Sequence, residues 1–177
     1  LISIIIFLSF LFIGINNNDQ LLITISILFI STLIIFLIYN WYPAKVFLGD
    51  SGSLMIGFVI SILGVRSLDY IQPIAILYLT LTPIVDALFV YFRRILDGKS
   101  PFMADKLHCH HLILGYLNGN VRKTVIIIAL VQLIASLIGV LIVAKVTDSF
   151  IPLLGFLVLF ILTYKFLDRI KQKNIIN

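Results

Sequence analysis

The sequence predicts an all-α protein, a polytopic membrane helix bundle with about six transmembrane segments. Hydrophobic residues make up 61% of the 177-residue chain and charged residues only 12%. The mean hydropathy is +1.16, whereas soluble domains average about 25% charged residues. The apolar runs are continuous, which excludes the alternating pattern of a transmembrane β-barrel. The single cysteine, Cys109, excludes an internal disulfide framework.

Polar turns divide the chain into helices, and a bilayer-spanning helix needs about 20 apolar residues. The first apolar run is short. The helix that follows the polar stretch at residues 40–50 has Ser51 or Ser53 as a suitable N-cap. Pro73 suits the first turn of the next helix. The predicted segments, which form one membrane domain over residues 1–177, are 2–15, 21–39, 51 or 53 to 68, 73–92, 124–146 and 151–167.

The chain begins at Leu1, inside an apolar run and without a charged segment before it. This pattern argues against a signal peptide. We therefore expect this chain to be part of a longer protein that has further residues before Leu1.

Basic residues lie in every second loop, which predicts the orientation in the membrane. Arg66 and Lys145 lie on one side, and the other eleven of the thirteen Lys and Arg residues lie on the opposite side, which we assign to the cytoplasm. Topology thus explains the net charge of +5, and we do not expect nucleic acid as a partner. The residues assigned to the cytoplasmic side are Lys45, Arg93, Arg94, Lys99, Lys106, Arg122, Lys123, Lys165, Arg169, Lys171 and Lys173.

Asp50 is the first candidate for a chemical site. It lies in the stretch NWYPAKVFLGDSGS at residues 40–53, at the start of a membrane segment and on the predicted cytoplasmic side. The amides and dipole of a helix N-terminus favour a negative charge there, and Mg²⁺ accepts one or two carboxylates together with phosphates and water. A simple cap or turn aspartate is the alternative. Gly-Asp-Ser-Gly also surrounds the nucleophile of chymotrypsin-like proteases, but those are secreted β-barrels, so we reject that interpretation.

A second candidate group lies at the end of the fourth predicted span and in the loop after it. Asp86 lies near its basic end, where a membrane carboxylate is either functional or paired, here with Arg93 or Arg94. All three histidines, His108, His110 and His111, lie within four residues. In a helix capped by Asp105 and ending near residues 118–119, His108 and His111 would share a face. In an extended loop, His108 and His110 would share one. Zinc binding and anion binding supported by Lys106, Arg93 and Arg94 both remain open.

These motifs resemble the polyprenyl-phosphate N-acetylhexosamine-1-phosphate transferases. FLGDSGSLMIGF at residues 47–58 resembles the aspartate loop of that family. PIVDALFVYFRR at 83–94 and SPFMADKLHCHHLIL at 100–114 resemble its arginine and histidine loop. The His-x-His-His spacing is closer to the WecA/TagO branch than to MraY, and Cys109 stands where leucine is usual.

The resemblance implies a specific reaction. A sugar-1-phosphate passes from a UDP-N-acetylhexosamine to undecaprenyl phosphate with Mg²⁺, at the cytoplasmic face of a bacterial cell membrane. UMP is released, and the lipid-linked sugar serves teichoic acid, lipopolysaccharide or another surface polymer. Asp50 matches the metal-binding aspartate, and His108, His110 and His111 match the histidines at the nucleotide-sugar diphosphate. Arg93, Arg94 and Lys106 are the predicted basic, substrate-binding residues, and a homodimer is one assembly left open.

The family also uses an Asp-Asp-x-x-Asp motif and an Asn-x-x-Asp-Gly-x-Asp-Gly loop before the aspartate loop, and this sequence contains neither. We therefore expect the chain to correspond to the C-terminal part of such an enzyme and to be inactive alone. A non-enzymatic membrane remnant that binds polyprenyl lipid or nucleotide sugar is the alternative function. A metal transporter is disfavoured because Gln132 and Ser136 are nearly the only polar groups at mid-membrane in the apolar spans.

Overall fold

The computed structural model describes residues 1–98, 100, 108–141 and 148–176, and every regular element in them is an α helix. This confirms the predicted fold class. The elements are α1 (Ile2–Asn17), α2 (Gln20–Asn40), α3 (Gly49–Ser67), α4 (Pro73–Leu79), α5 (Leu81–Leu96), α6 (Cys109–Tyr116), α7 (Val121–Leu141) and α8 (Phe150–Ile176).

Four of these helices, α2, α3, α7 and α8, are long and apolar enough to cross a membrane, and α4 with α5 makes a fifth span if the bent pair is counted as one. The remaining predicted segment is α1, an apolar helix of 16 residues. By helix length and composition, the chain is thus a multi-pass membrane protein. Much of the apolar surface of α2 and α3 is exposed.

The predicted single helix over residues 73–92 is wrong. The structure has two helices, α4 and α5, bent by 85° around Thr80. The physical cause is Pro83, which has no N–H and whose ring clashes with the carbonyl four residues earlier, that of Leu79. The helix therefore breaks within one turn before Pro83, whereas Pro73 lies in the first turn of α4 as predicted.

Gln132 of α7 satisfies the peptide groups that this break exposes. Its Nε2 donates to the carbonyl of Leu79 at 2.7 Å and to Ser136 Oγ at 2.9 Å. Its Oε1 accepts from the N–H of Thr82 at 2.9 Å. Unpaired peptide groups are costly in a membrane, and the Gln132 side chain is fully buried. One amide side chain therefore bridges both sides of the bend.

The turns at one end of the bundle contact one another. Arg66 Nε lies 2.7 Å from Asp19 Oδ2, and the Tyr70 hydroxyl donates to the same oxygen at 2.8 Å. On the same end, Ser149 Oγ lies 3.4 Å from Gln72 Oε1. These contacts bring together the turns that join α1 to α2, α3 to α4 and α7 to α8, in agreement with the two-sided division derived from charge.

At the opposite end, Arg122 Cζ lies 5.9 Å from the centre of the Tyr42 ring. Tyr42 belongs to the loop between α2 and α3, and Arg122 to the first turn of α7. A second apolar cluster at this end joins α5, α6 and α8 through Phe89, Leu112 and Leu167. The loops that carry Asp50 and the histidines therefore lie at the same end of the bundle.

Replacement of Gln132 by Leu should destabilise the bundle, because it leaves the Leu79 carbonyl and the Thr82 N–H unpaired. A buried unpaired group costs about 1–3 kcal/mol, and hydrogen bonds between membrane helices average about 0.6 kcal/mol. We expect the free energy of unfolding in mixed detergent micelles to fall by about 1–3 kcal/mol. Ser136→Ala is the control with a smaller effect, since Gln132 keeps its bond to Leu79. Equal stability of the two variants would contradict the bridging role.

Stability should also depend on Asp19 at low pH. The N–H of Leu22 lowers the pKa of Asp19 most; desolvation opposes this shift, and the Tyr70 hydroxyl and Arg66 lower the pKa further. A lowered pKa contributes stability above the ordinary value of about 3.9, and this stability is lost as the pH falls through the lowered pKa. Between about pH 5 and pH 2, we expect the thermal unfolding temperature of Asp19→Asn to fall less than that of the wild type.

The control for this measurement is Asp148→Asn, which alters an exposed carboxylate that caps α8 at the same end by accepting from the N–H of Phe150 at 2.8 Å. Asp148→Asn should retain the steep wild-type pH dependence. If the unfolding temperature of Asp19→Asn falls with pH as steeply as that of the wild type, this carboxylate does not govern acid stability.

Candidate functional site

The loop before α3 is held in shape by its own backbone and by Asn40. The Lys45 N–H donates to the Tyr39 carbonyl at 2.9 Å, and Asn40 Nδ2 donates to the Val46 carbonyl at 2.8 Å. Gly49 then begins α3 with φ +68°, a conformation that favours glycine. Asp50 is consequently placed on the first turn of a membrane helix, at the surface.

The prediction that Ser51 or Ser53 caps this helix is wrong. The helix begins earlier, at Gly49, with Leu48 as the N-cap and no side-chain cap bond. Ser53 Oγ instead donates to the Asp50 carbonyl at 2.8 Å, because both residues already lie inside the helix. The prediction that Asp50 lies at a helix N-terminus is confirmed, and its carboxylate is exposed.

The three histidines form one cluster of rings. His108 and His110 stack with centroids 5.8 Å apart and an interplanar angle of 15°. The rings of His110 and His111 lie 4.1 Å apart at 38°. His108 is the extended N-cap residue of α6, with φ −79° and ψ 160°, and His110 and His111 lie in its first turn. We call His108, His110 and His111 the histidine cluster.

Of the two predicted arrangements, the contact between the rings of His108 and His110 agrees with the extended one. An extended His108 followed by a helix lets its ring stack on that of His110, while His110 and His111 are successive helical residues. The helix ends at Tyr116, close to the predicted end at residues 118–119, and Asn118 and Gly119 both have positive φ. The predicted cap, Asp105, lies outside the described residues.

The cap of α6 comes instead from Asp86 of α5. Asp86 Oδ1 accepts from the N–H of Cys109 at 2.7 Å, and Oδ2 lies 2.9 Å from His108 Nδ1. The structure thus places the Asp86 carboxylate at the start of α6, a contact that the sequence, which suggested a pairing with Arg93 or Arg94, did not indicate. Helical spacing in the sequence places Arg93 on the same face as Asp86. It cannot relate Asp86 to His108, which lies 22 residues further along the chain.

Arg93 and Arg94 are both buried, at 3% and 7% exposure. Arg93 Cζ lies 5.8 Å from the centre of the Phe89 ring, where a cation and an aromatic face attract. Arg94 Nε donates to the Ser100 carbonyl at 2.6 Å. Arg94 thus contacts the Ser100 backbone just beyond α5, and Arg93 packs on Phe89, a member of the apolar cluster that joins α5, α6 and α8. Lys106, the third predicted substrate-binding residue, lies outside the described residues.

Burial affects the charge state of two groups in the first turn of α6, Cys109 and His110. It raises the pKa of the Cys109 thiol, and the Asp86 carboxylate raises it further. Cys109 is therefore a neutral thiol that packs on the Phe89 and Leu112 cluster. Partial desolvation of its ring lowers the pKa of His110, and His111 lowers it further. His110 therefore acts near neutral pH as a neutral imidazole, which both donates and accepts hydrogen bonds.

Asp50 and the histidine cluster share one end of the bundle but rest on different helices. α3 packs against α1 and α2, whereas α6 packs against α7 and α8. Within residues 1–98, 100, 108–141 and 148–176, no three or more His, Cys, Asp or Glu side chains are arranged to hold a metal ion together. As a hard oxygen ligand at an open helix terminus, Asp50 fits a Mg²⁺ ion that keeps phosphate and water ligands.

Comparison with known proteins confirms the resemblance seen in the sequence. Residues 1–68 match the family model described as Glycosyl transferase family 4. A probable undecaprenyl-phosphate N-acetylglucosaminyl 1-phosphate transferase of Bacillus subtilis is 34% identical over 131 residues, which cover 70% of this chain and 36% of that protein.

Undecaprenyl-phosphate alpha-N-acetylglucosaminyl 1-phosphate transferases of two further bacteria are also similar. The protein of Haemophilus influenzae is 33% identical over 67% of this chain and 34% of its own length. That of Escherichia coli K12 is 33% identical over 68% of this chain and 33% of its own length. The matched part thus spans about a third of the length of these relatives. No solved structure matches the chain.

Proposed function

Because the chain is a relative of the undecaprenyl-phosphate N-acetylglucosaminyl 1-phosphate transferases, we propose that its gene product is such a transferase. It moves an N-acetylhexosamine-1-phosphate from a UDP-sugar to undecaprenyl phosphate and releases UMP. The observation that carries this proposal is the position of two motif-bearing loops, those of Asp50 and of the histidine cluster, at one end of the bundle. We assign that end to the cytoplasmic face of a bacterial cell membrane.

The histidine cluster binds the sugar diphosphate together with Arg93 and Arg94 in this proposal. Phosphoryl transfer depends on positioning and on stabilising charge at the phosphate oxygens, with little covalent work for the protein. The neutral His110 supplies a hydrogen-bond donor, and the buried Arg93 and Arg94 in the last turn of α5 supply positive charge. Lys106 is the third basic residue in this role.

Asp50 holds Mg²⁺ in this proposal. When bound, the metal ion neutralises charge on the diphosphate oxygens, which is the electrostatic part of the reaction. One exposed carboxylate agrees with the way Mg²⁺ binds, through one or two carboxylates plus substrate phosphates and water. The Gly49 backbone before it leaves open space, since a Cβ built on Gly49 meets nothing within 4 Å.

The polyprenyl chain of the acceptor lies along α3. Leu54 and Phe58, one and two turns beyond Asp50, are 73% and 67% exposed. A shallow apolar groove continues along this face of α3 and is lined by Phe58, Ser61, Ile62 and Val65. An isoprenoid tail on this face would bring its phosphate to the Asp50 end of the helix. A lipid-linked sugar made there serves the synthesis of a cell-wall or surface polysaccharide.

Asp50→Asn tests the metal-binding assignment. Removing a carboxylate ligand weakens Mg²⁺ binding, and Lewis-acid stabilisation is worth several kcal/mol, so we expect UMP release to fall by about 10²-fold or more. The assay uses membranes containing the complete gene product, a UDP-N-acetylhexosamine, undecaprenyl phosphate and titrated Mg²⁺. The Mg²⁺ concentration for half-maximal rate should rise.

Asp69→Asn is the matched control, because it makes the same chemical change at the opposite end of the bundle, where Asp69 Oδ2 lies 2.7 Å from Arg66. We expect wild-type turnover and the wild-type Mg²⁺ requirement. Undiminished UMP release by Asp50→Asn would refute the role of Asp50. Wild-type membranes that release no UMP would refute the transferase function itself.

A double variant, His108→Ala with His111→Ala, tests the histidine cluster. Hydrogen bonds to charged groups are worth about 1.5–3 kcal/mol, so the Kd for a UDP-N-acetylhexosamine in the presence of Mg²⁺ should rise at least about tenfold. Tyr116→Phe is the control in the same helix, since it removes only a hydroxyl from an exposed side chain. Unchanged binding in the double variant would remove the cluster from the substrate site.

A further inference from the structure

We propose that Asp86 is a positioning residue for the histidine cluster. It fixes His108 in the tautomer that carries its proton on Nδ1, so that Nε2 is the ring nitrogen presented to the diphosphate. The identity of that ligand rests on the proposed transferase function. The tautomer itself rests only on the geometry of α5 and α6.

The two oxygens of Asp86 determine the proton position. Oδ1 accepts the Cys109 N–H at 2.7 Å, and Oδ2 faces His108 Nδ1 at 2.9 Å. A carboxylate accepts hydrogen bonds and has no hydrogen of its own to donate. The nitrogen that faces it must therefore be protonated, and in the neutral ring the proton is absent from Nε2.

The ring of His108 needs such a fixed contact because its backbone lies outside the helix. As the extended N-cap residue, His108 is not aligned by the helical turn. Two contacts define its plane, namely the bond from Nδ1 to Asp86 and the stack on His110 at 5.8 Å. Together they direct the opposite edge of the ring, with Nε2, away from α5.

This arrangement suits a ring that meets an anion. With protons on both ring nitrogens, His108 would donate from Nε2 to a phosphate oxygen and from Nδ1 to Asp86. Charge-assisted hydrogen bonds of this kind are about twice as strong as neutral ones. Partners that orient a functional histidine are commonly worth about 10–100-fold in affinity or activity at metal sites.

Asp86→Asn separates positioning from simple capping. The amide keeps the shape of the carboxylate but offers one acceptor oxygen and a nitrogen that only donates. With its oxygen on the Cys109 N–H, its nitrogen donates to His108 Nδ1 and moves the ring proton to Nε2. The measurement is ¹⁵N NMR of the histidine-labelled protein, with the His108 signals assigned by their loss in His108→Gln. An unchanged tautomer in Asp86→Asn would overturn the proposal.

Cys109 reports whether α6 still begins correctly, because it is the only cysteine in the chain and its N–H is bound by Asp86. Maleimide labelling of Cys109 should keep its wild-type rate in Asp86→Asn and accelerate several-fold in Asp86→Ala, which has no acceptor. If Cys109 is labelled faster in both variants and His108 keeps its wild-type tautomer in Asp86→Asn, then Asp86 only caps α6. This outcome would overturn the positioning role.

The last arm measures UMP release by the complete gene product. Asp86→Asn should lower turnover by about 10–100-fold, and Asp86→Glu, which keeps a carboxylate, should recover part of that loss. If the ring proton of His108 moves to Nε2 in Asp86→Asn but turnover stays at the wild-type level, the link between His108 orientation and catalysis is overturned. Wild-type protein without UMP release would refute the transferase and the diphosphate ligand, while the tautomer measurement, which needs no substrate, would still decide the role of Asp86.

Discussion

A helix that breaks inside a membrane bundle must find partners for its exposed peptide groups, and this requirement shapes the whole chain. Lipid offers no hydrogen bonds, so protein must supply them. Pro83 breaks the segment at Leu79, and Gln132 pairs with both sides of the break. The direction of α5, and with it the position of everything that α5 carries, depends on this one buried amide.

From the bend, a chain of contacts leads to the histidine cluster. α5 emerges at 85° to α4 and carries Asp86 and Phe89 toward the loop end of the bundle. Asp86 binds the first residues of α6, while Phe89 packs with Leu112 of α6 and Leu167 of α8. The cluster is thus held by one polar and one apolar contact. Both arise on the helix that Gln132 orients.

The sequence predicted the helical class, most helix limits and the grouping of loops at two ends, because continuous apolar runs and loop charges follow directly from transfer into lipid. It did not predict the break, although Pro83 and the polar Gln132 in the fifth predicted span were both visible signals. Their connection requires knowing that α7 packs on α4. In the same way, Asp86 could not be assigned to His108, since local spacing favours Arg93 and only the tertiary fold brings residues 86 and 108 together.

The two parts of the proposed site meet opposite physical demands. Among the described residues, no hydrogen bond or ion pair holds the Asp50 carboxylate, which leaves it free to adopt the geometry of a Mg²⁺ shell that retains water and phosphate ligands. His108, in contrast, has its ring fixed by Asp86 and His110 before any ligand arrives. A group that donates to a developing charge acts best when it needs no reorganisation. Rigidity therefore belongs on the histidine side, and an adaptable carboxylate belongs on the metal side.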